Sequence, residues 1–290
     1  MPLAFDNITT DRVHLFDDRD ITLSVLRLDK IHPVISGNKW FKLQYYLKEA
    51  IEQNKKKIVT FGGAWSNHIV ATAAACKIND LLSAGIIRGE EPRHLSQTLI
   101  QAKDYGMQLH FISREDYSKK KVPVELENDE NFFVNEGGYG KKGAEGAAGI
   151  LNYNKEDFTH CCCAVGTGTM MAGLIRAISA EQIVIGVSVL KNDLEKNVHS
   201  LVNNEPKNWQ LIDEYHFGGY AKYKSGLIQF MNEFFSQTNI PSDFVYTAKL
   251  FFAISDLIKN NFFPPGSRLL LVHSGGLQGN SSLPKGTLIY

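Results

Sequence analysis

The chain has 290 residues and carries 31 lysines and arginines against 31 aspartates and glutamates. That balance argues against a protein that grips nucleic acid or an anionic membrane surface by neutralising phosphates. Apolar residues at 43% and charged residues at 21% exclude a disordered chain, and the length suits one large domain or two.

Taken in chain order, MPLAFDNITTDR shows no basic start followed by an apolar run, so no signal peptide is expected. Ile21–Leu28 reads as a strand. Lys57–Phe61 is the next, followed by a Gly-Gly turn and a small-residue helix over Ser66–Lys77. Leu82–Ile87 predicts a strand, His94–Tyr105 an amphipathic helix, and Met107–Ile112 and Phe132–Val134 further strands. Lys142–Asn152, rich in Ala and Gly, reads as helical. Cys161–Val165 is a strand running through Gly-Thr-Gly-Thr into a helix over Met170–Ala180. Ile183–Val189 and Arg268–Val272 are strands, with a helix over Ala248–Asn260 before the last. Runs apolar on both faces, such as IVIGVSVL, suit strands covered by helices on two sides. Alternating strands and helices predict an α/β protein with mostly parallel sheets, in two lobes that meet near residue 150.

The longest uncharged stretches, Ile58–Cys76 and Phe158–Ile175, are interrupted by polar residues, so no membrane span is expected. Three of the four cysteines are consecutive, Cys161 to Cys163, a spacing that suits neither a disulfide framework nor a zinc site. In a buried strand they act as small apolar residues, consistent with a reducing cytoplasm. The lysine runs Lys55–Lys57 and Lys119–Lys121 read as solvated helix ends.

In parallel sheets ligands bind beyond the carboxyl ends of the strands, so the strand-to-helix turns hold the chemistry. Gly166-Thr167-Gly168-Thr169 follows a strand and opens a helix. Its glycines let the backbone approach an anion, and free helix-start amides point at it. The segment reads as a phosphate cradle, or as a tight turn. It is no Walker loop, and Met171 stands where a dinucleotide fingerprint needs glycine. In Gly37-Asn38-Lys39-Trp40-Phe41-Lys42 two lysines three apart share a helix face. One could be a buried nucleophile and the other a phosphate ligand, or both could be solvated. In Gly62-Gly63-Ala64-Trp65-Ser66-Asn67-His68, Ser66 or Asn67 caps the next helix, whose start can take a carboxylate. His68 fits a general base and a structural histidine equally. Ser274, in His-Ser-Gly-Gly after the last strand, offers a neutral hydroxyl or marks an ordinary glycine turn.

These segments, together with Phe217-Gly218-Gly219-Tyr220 and Val245-Tyr246-Thr247, resemble in order and spacing the fold-type II pyridoxal-phosphate enzymes. Within them the nearest likeness is to the family of 1-aminocyclopropane-1-carboxylate deaminase and D-cysteine desulfhydrase, and it spans nearly the whole chain. The resemblance implies two three-layer α/β/α lobes like the tryptophan synthase β chain. Residues 1–40 and 150–290 would form the large cofactor-binding domain and 41–149 the small one. It implies pyridoxal 5'-phosphate joined to Lys39, its phosphate held by Lys42 and by Gly166, Thr167, Gly168 and Thr169, its phenolic oxygen bonded by Asn67, and its pyridine nitrogen near Ser274. It places Ser66 beside the substrate carboxylate, with Trp65, Asn67, His68 and Thr247 nearby and Tyr220 and Tyr246 as active-site tyrosines. Two positions depart from the deaminase pattern. Thr247 stands where deaminases carry glutamate, which favours the desulfhydrase side, and Trp65 stands where desulfhydrases tend to carry glutamine. The implied activity is release of ammonia and a 2-oxo acid from a small amino acid, by a cytoplasmic homodimer. A racemase, another elimination or replacement enzyme, and a cofactor-binding protein without turnover are the alternatives.

Overall fold

A computed structural model describes residues 2–191, 194–202 and 208–290. The strands are β1 Thr10–Val13, β2 Thr22–Arg27, β3 Lys57–Gly62, β4 Leu82–Arg88, β5 Met107–Ile112, β6 Asn131–Val134, β7 His160–Val165, β8 Ile183–Ser188, β9 Trp209–Ile212 and β10 Arg268–His273. The α-helices are α1 Asn38–Glu52, α2 Asn67–Ile78, α3 Gln97–Asp104, α4 Arg114–Ser118, α5 Lys141–Ala148, α6 Thr169–Ala177, α7 Glu195–Leu201, α8 Ser225–Thr238 and α9 Thr247–Lys259.

Among the described residues the strands form two sheets. The larger runs β1-β2-β10-β7-β8-β9 and the smaller β5-β4-β3-β6. Every pairing is parallel except β1 with β2. Strand β7 lies inside the larger sheet and all six of its residues are buried. Side chains alternate across a strand, so the cysteine run is divided between the two faces. Cys161, Cys163 and Val165 pack with Ala144 and Ala147 of α5 and Leu174 and Ile175 of α6. Cys162 and Ala164 pack on the opposite face with Phe234 of α8 and Leu250 and Ile254 of α9. All four cysteines are free and buried, acting as apolar packing.

The smaller sheet is covered the same way. Ile58 packs against Leu43 and Leu47 of α1 and Ile69 and Ala73 of α2. Its neighbours Val59 and Phe61 face Tyr117 and Leu126. Helix α2 is buried from Asn67 through Cys76, which explains why its small apolar residues occur all round rather than in a stripe.

Several boundaries differ from the sequence reading. The helix expected from His94 starts at Gln97, because Ser96 accepts from the Leu99 amide at 3.2 Å and so fixes the N-cap. The segment 142–152 is α-helical only to Ala148 and continues as a 3-10 turn to Tyr153. The helix expected to reach Ala180 ends at Ala177, where Ile178 turns extended. Strands β1 and β9 and helices α4, α7 and α8 are not among the elements expected from the sequence, although α8 spaces Leu227, Phe230, Met231, Phe234 and Phe235 along one helical face. No helix among the described residues is long and apolar enough to cross a membrane.

Candidate active site

A cavity of about 1170 Å³ opens beyond the carboxyl ends of the strands and is walled by the turns after β3, β6, β7 and β10. It gathers Lys39, Lys42, Trp65, Ser66, Asn67, His68, Gly166, Thr167, Gly168, Tyr220, Tyr246 and Ser274, which lie far apart in the sequence.

Helix α1 delivers the two lysines. Its N-cap is Gly37, at φ +65° and ψ −139°, a region essentially confined to glycine. The Asn38 amide donates to the Ser274 carbonyl at 3.2 Å, and a Cβ on Gly37 would lie 1.8 Å from that oxygen. Only glycine lets the start of α1 interlock with the turn after β10, and this sets Lys39 and Ser274 in one wall. Lys39 Nζ donates to Asn38 Oδ1 at 2.6 Å and lies 5.8 Å from the centre of the Tyr246 ring. Burial lowers its pKa to about 8 against the opposing charge of Asp243. Lys42 is buried, and desolvation followed by the charge of Lys39 pushes it well below the usual lysine value. Neither lysine makes an ion pair with a carboxylate among the described residues.

The turn after β7 forms the facing wall. Gly168 caps α6 at φ +84°, so the first amides of α6 face the cavity beside the hydroxyls of Thr167 and Thr169, 3.0 Å apart. Thr169 is the one residue of this loop absent from the lining, being fully buried.

The turn after β3 brings Ser66, Asn67 and His68. Ser66 is the N-cap residue of α2, as expected, but its hydroxyl makes no capping bond and is left for another partner. Asn67 is buried and its Oδ1 has no hydrogen-bond partner. His68 Nε2 lies 2.8 Å from Thr60 Oγ1, and that hydroxyl gives its proton to the Val134 carbonyl at 2.7 Å. The hydroxyl must therefore accept from the ring, so Nε2 carries the hydrogen and Nδ1 is a bare, buried acceptor without a partner. Burial, and then the charges of Lys42 and Lys39, push the His68 pKa well below its usual value, so the ring is neutral.

The tyrosines form the outer side. Tyr220 meets Tyr246 edge to face at 6.3 Å between ring centres. Burial, followed by the neighbouring Tyr220 and Asp243, holds the Tyr246 hydroxyl protonated well above the usual tyrosine range. Trp65 is 41% exposed at the rim. Thr247 is not brought to the cavity. It is fully buried, and its hydroxyl accepts from the Asp243 amide at 2.7 Å and donates to Asp243 Oδ1 at 2.8 Å.

Four features escaped the sequence reading. Asp243 accepts from the amides of Val245, Tyr246 and Thr247 at 2.9–3.0 Å and so sets the start of α9 and the position of Tyr246. Lys249, fully buried, donates to the carbonyls of His216 and Gly219 at 2.8 Å each and fastens the loop that bears Tyr220. Arg88 and Arg114 line the cavity. Lys120, expected as a solvated lysine, also lines it. Its Nζ lies 4.4 Å from the Tyr117 ring centre and pairs with Glu136 at 2.6 Å. An arginine ending a strand just before glycine, as in Ile87-Arg88-Gly89, was a signal of the kind used for the other turns.

The donor set has a definite character. A buried amine, Lys42, and a half-buried one, Lys39, both without carboxylates among the described residues, face a glycine-rich helix start, which together require an anion. The unpaired Asn67 amide and the free Ser66 hydroxyl ask for polar atoms of a ligand. A phosphorylated aldehyde fits these demands: the phosphate answers the glycine loop and Lys42, and the aldehyde answers Lys39. No metal-binding cluster occurs among the described residues.

The fold and site together define a fold-type II pyridoxal-phosphate protein. A family model described as pyridoxal-phosphate dependent enzyme matches residues 18–275, and the chain belongs to that family. The bifunctional D-cysteine desulfhydrase/1-aminocyclopropane-1-carboxylate deaminase, mitochondrial, of Arabidopsis thaliana is 28% identical over 290 residues, covering 84% of this chain and 70% of its own. The 1-aminocyclopropane-1-carboxylate deaminase of Cyberlindnera saturnus is 24% identical over 286 residues, covering 83% of this chain and 82% of its own. A crystal structure of an ACC deaminase homologue matches with a TM-score of 0.83 at 24% identity, over 94% of this chain and 90% of that one.

Proposed function

We propose that the chain is a pyridoxal-phosphate-dependent deaminase or carbon–sulfur lyase that releases ammonia and a 2-oxo acid from a small amino acid. The observation that carries this reading is the amine of Lys39, unpaired with any carboxylate, set in one cavity with the glycine loop, the free Ser66 hydroxyl and Tyr246. When bound, pyridoxal phosphate supplies an electron-withdrawing ring that acidifies the α-hydrogen of an attached amino acid.

The residues divide the remaining work. Lys42, the Thr167 hydroxyl and the amides of 166–169 would hold the phosphate. Asn67 and Ser274 orient the ring. Lys39, with its pKa lowered to about 8, is about one-tenth neutral at pH 7 against well under a thousandth for an ordinary lysine, so Nζ can take the proton from the substrate α-carbon. The Ser66 hydroxyl and the first amides of α2 hold the α-carboxylate. Tyr246, kept protonated, offers its hydroxyl hydrogen to the departing group, and Tyr220 orients the substrate beside it. Proton transfer of this kind is worth about 10²–10⁴ in rate. Lys249 and Asp243 act through position, by holding the two tyrosines.

The test is to incubate the purified yellow protein with D-cysteine, L-cysteine and 1-aminocyclopropane-1-carboxylate, assaying sulfide, keto acid and ammonia. Sulfide with pyruvate from one cysteine enantiomer supports the lyase. 2-Oxobutanoate from the cyclopropane supports the deaminase. Inversion of chirality without keto acid, or no turnover, refutes the reading. Lys39→Ala should lose the visible absorbance of the lysine-joined cofactor, and unchanged absorbance would overturn the lysine assignment.

A further inference from the structure

Assigning the phosphate to Lys42 and the 166–169 loop, and the α-carboxylate to Ser66 and the start of α2, leaves three cations of the cavity, Arg88, Arg114 and Lys191, without an anion among the described residues. Arg88 is the last residue of β4, beside the end of β3. A guanidinium nitrogen lies 4.0 Å from where a Cβ on Gly63 would stand, in the turn leading to Ser66. Its carbon lies 5.9 Å from the Tyr117 ring centre, on the aromatic wall. Arg114, the first residue of α4, lines the same cavity. Neither arginine makes a hydrogen bond or ion pair among the described residues. Among the described residues the one acid in the lining, Glu136, is taken by Lys120.

An arginine on an open surface is simply hydrated. These two are solvent-exposed but line a concavity of about 1170 Å³, above the range of about 300–1,000 Å³ for common small-ligand sites. The planar guanidinium matches carboxylate and phosphate oxygens in a two-bond fork. Among the described residues this part of the cavity is therefore cationic, roomy and unpaired.

We propose that Arg88, supported by Arg114, receives a second acidic group on the substrate side chain, so that the site selects amino acids ending in a carboxylate or phosphate. This rests on the pyridoxal-phosphate reading above and names the substrate class for it. Hydrophobic substrates of the same length leave Arg88 unanswered, and the site disfavours them.

The test uses the holoenzyme and both enantiomers of aspartate, O-phosphoserine and alanine. Dissociation constants come from isothermal titration and from perturbation of the visible absorbance. At least one dianionic ligand should bind about tenfold or more tighter than alanine of the same handedness. The aspartate and phosphoserine arms tell a carboxylate site from a phosphate site. Arg88→Gln should abolish the preference while leaving alanine within about twofold, and Arg88→Lys should restore part of it. Arg114→Gln should reduce it in the same direction by less. Alanine binding as tightly as both dianions overturns the inference alone. So does an Arg88→Gln variant that weakens alanine equally, since Arg88 would then serve the α-carboxylate. Failure of all amino acids to bind, with no turnover of any, overturns the cofactor-site reading and this inference together.

Discussion

Lys249 offers a test of a buried clamp through the pH dependence of stability. Its ammonium is fully buried and donates to the carbonyls of His216 and Gly219 at 2.8 Å. Burial, opposed by Asp243, lowers its pKa from 10.5 to about 8. The fall from 10.5 to about 8 corresponds to about 3 kcal/mol against the charged form in the folded protein. Between pH 8 and 10.5 the unfolded chain binds more protons at this site than the folded one, so raising pH through that window favours folding by up to about 3 kcal/mol. Lys249→Met removes that gain and leaves two buried carbonyls without a donor, at about 1–3 kcal/mol each, offset by relief of the buried charge. Urea midpoints measured at pH 7, 8, 9 and 10 should show the variant falling further behind the wild type at each step. Limited proteolysis should open residues 216–223 in the variant, and its kcat/KM should drop as Tyr220 loses its support. Wild-type and variant stability curves that run parallel across this pH range would refute the assignment of Lys249 as a buried, titrating clamp.

Three further outcomes are expected. Because His68 is held neutral in the folded protein, the unfolded chain takes up a proton below pH 6.5 that the folded chain refuses. Wild-type stability should therefore fall by about 1.4 kcal/mol per pH unit below 6.5 from this group, and His68→Asn, followed by thermal denaturation from pH 5 to 7, should lack that contribution. Gly37→Ala puts a Cβ 1.8 Å from the Ser274 carbonyl at a positive φ and should abolish folding or cofactor retention. Gly266→Ala, also at positive φ but with nothing within 4 Å of the added carbon, should cost only about 1–2 kcal/mol by calorimetry.

The parts of the fold that the sequence displayed are those governed by local pattern. The buried runs of β7, β8 and β10 are apolar on both faces, and the turns after β3, β7 and β10 announce themselves by glycine beside polar residues. These sit at strand ends, where a parallel sheet presents them to a ligand. What escaped was fixed by distant partners. Helix α8 mixes Phe230, Phe234 and Phe235 with polar residues and takes its place by packing on α9 and the C-terminal residue Tyr290. Lys249 lies inside an apolar helical run, and only the fold shows the carbonyls from 30 and 33 residues earlier that occupy its charge. The resemblance puts Thr247 at the substrate beside Tyr246, yet successive helix residues point in different directions, and Asp243 takes the threonine inward. Arg88 obeyed the strand-end rule but lacked the glycine pair that marked the other turns.

The cysteines in the middle of the larger sheet give the molecule an intrinsic gauge of its own opening. The thiolate is the form that alkylating agents attack, and burial pushes the Cys161 and Cys76 thiols to about 12, with Cys162 and Cys163 also well above the ordinary value. A reagent in excess thus marks only molecules that have come apart. Cys76 lies in α2 beside the smaller sheet, and the other three lie in β7 of the larger one. Mass increments per molecule therefore report whether the two halves breathe separately or as one cooperative unit, with no probe added to the chain.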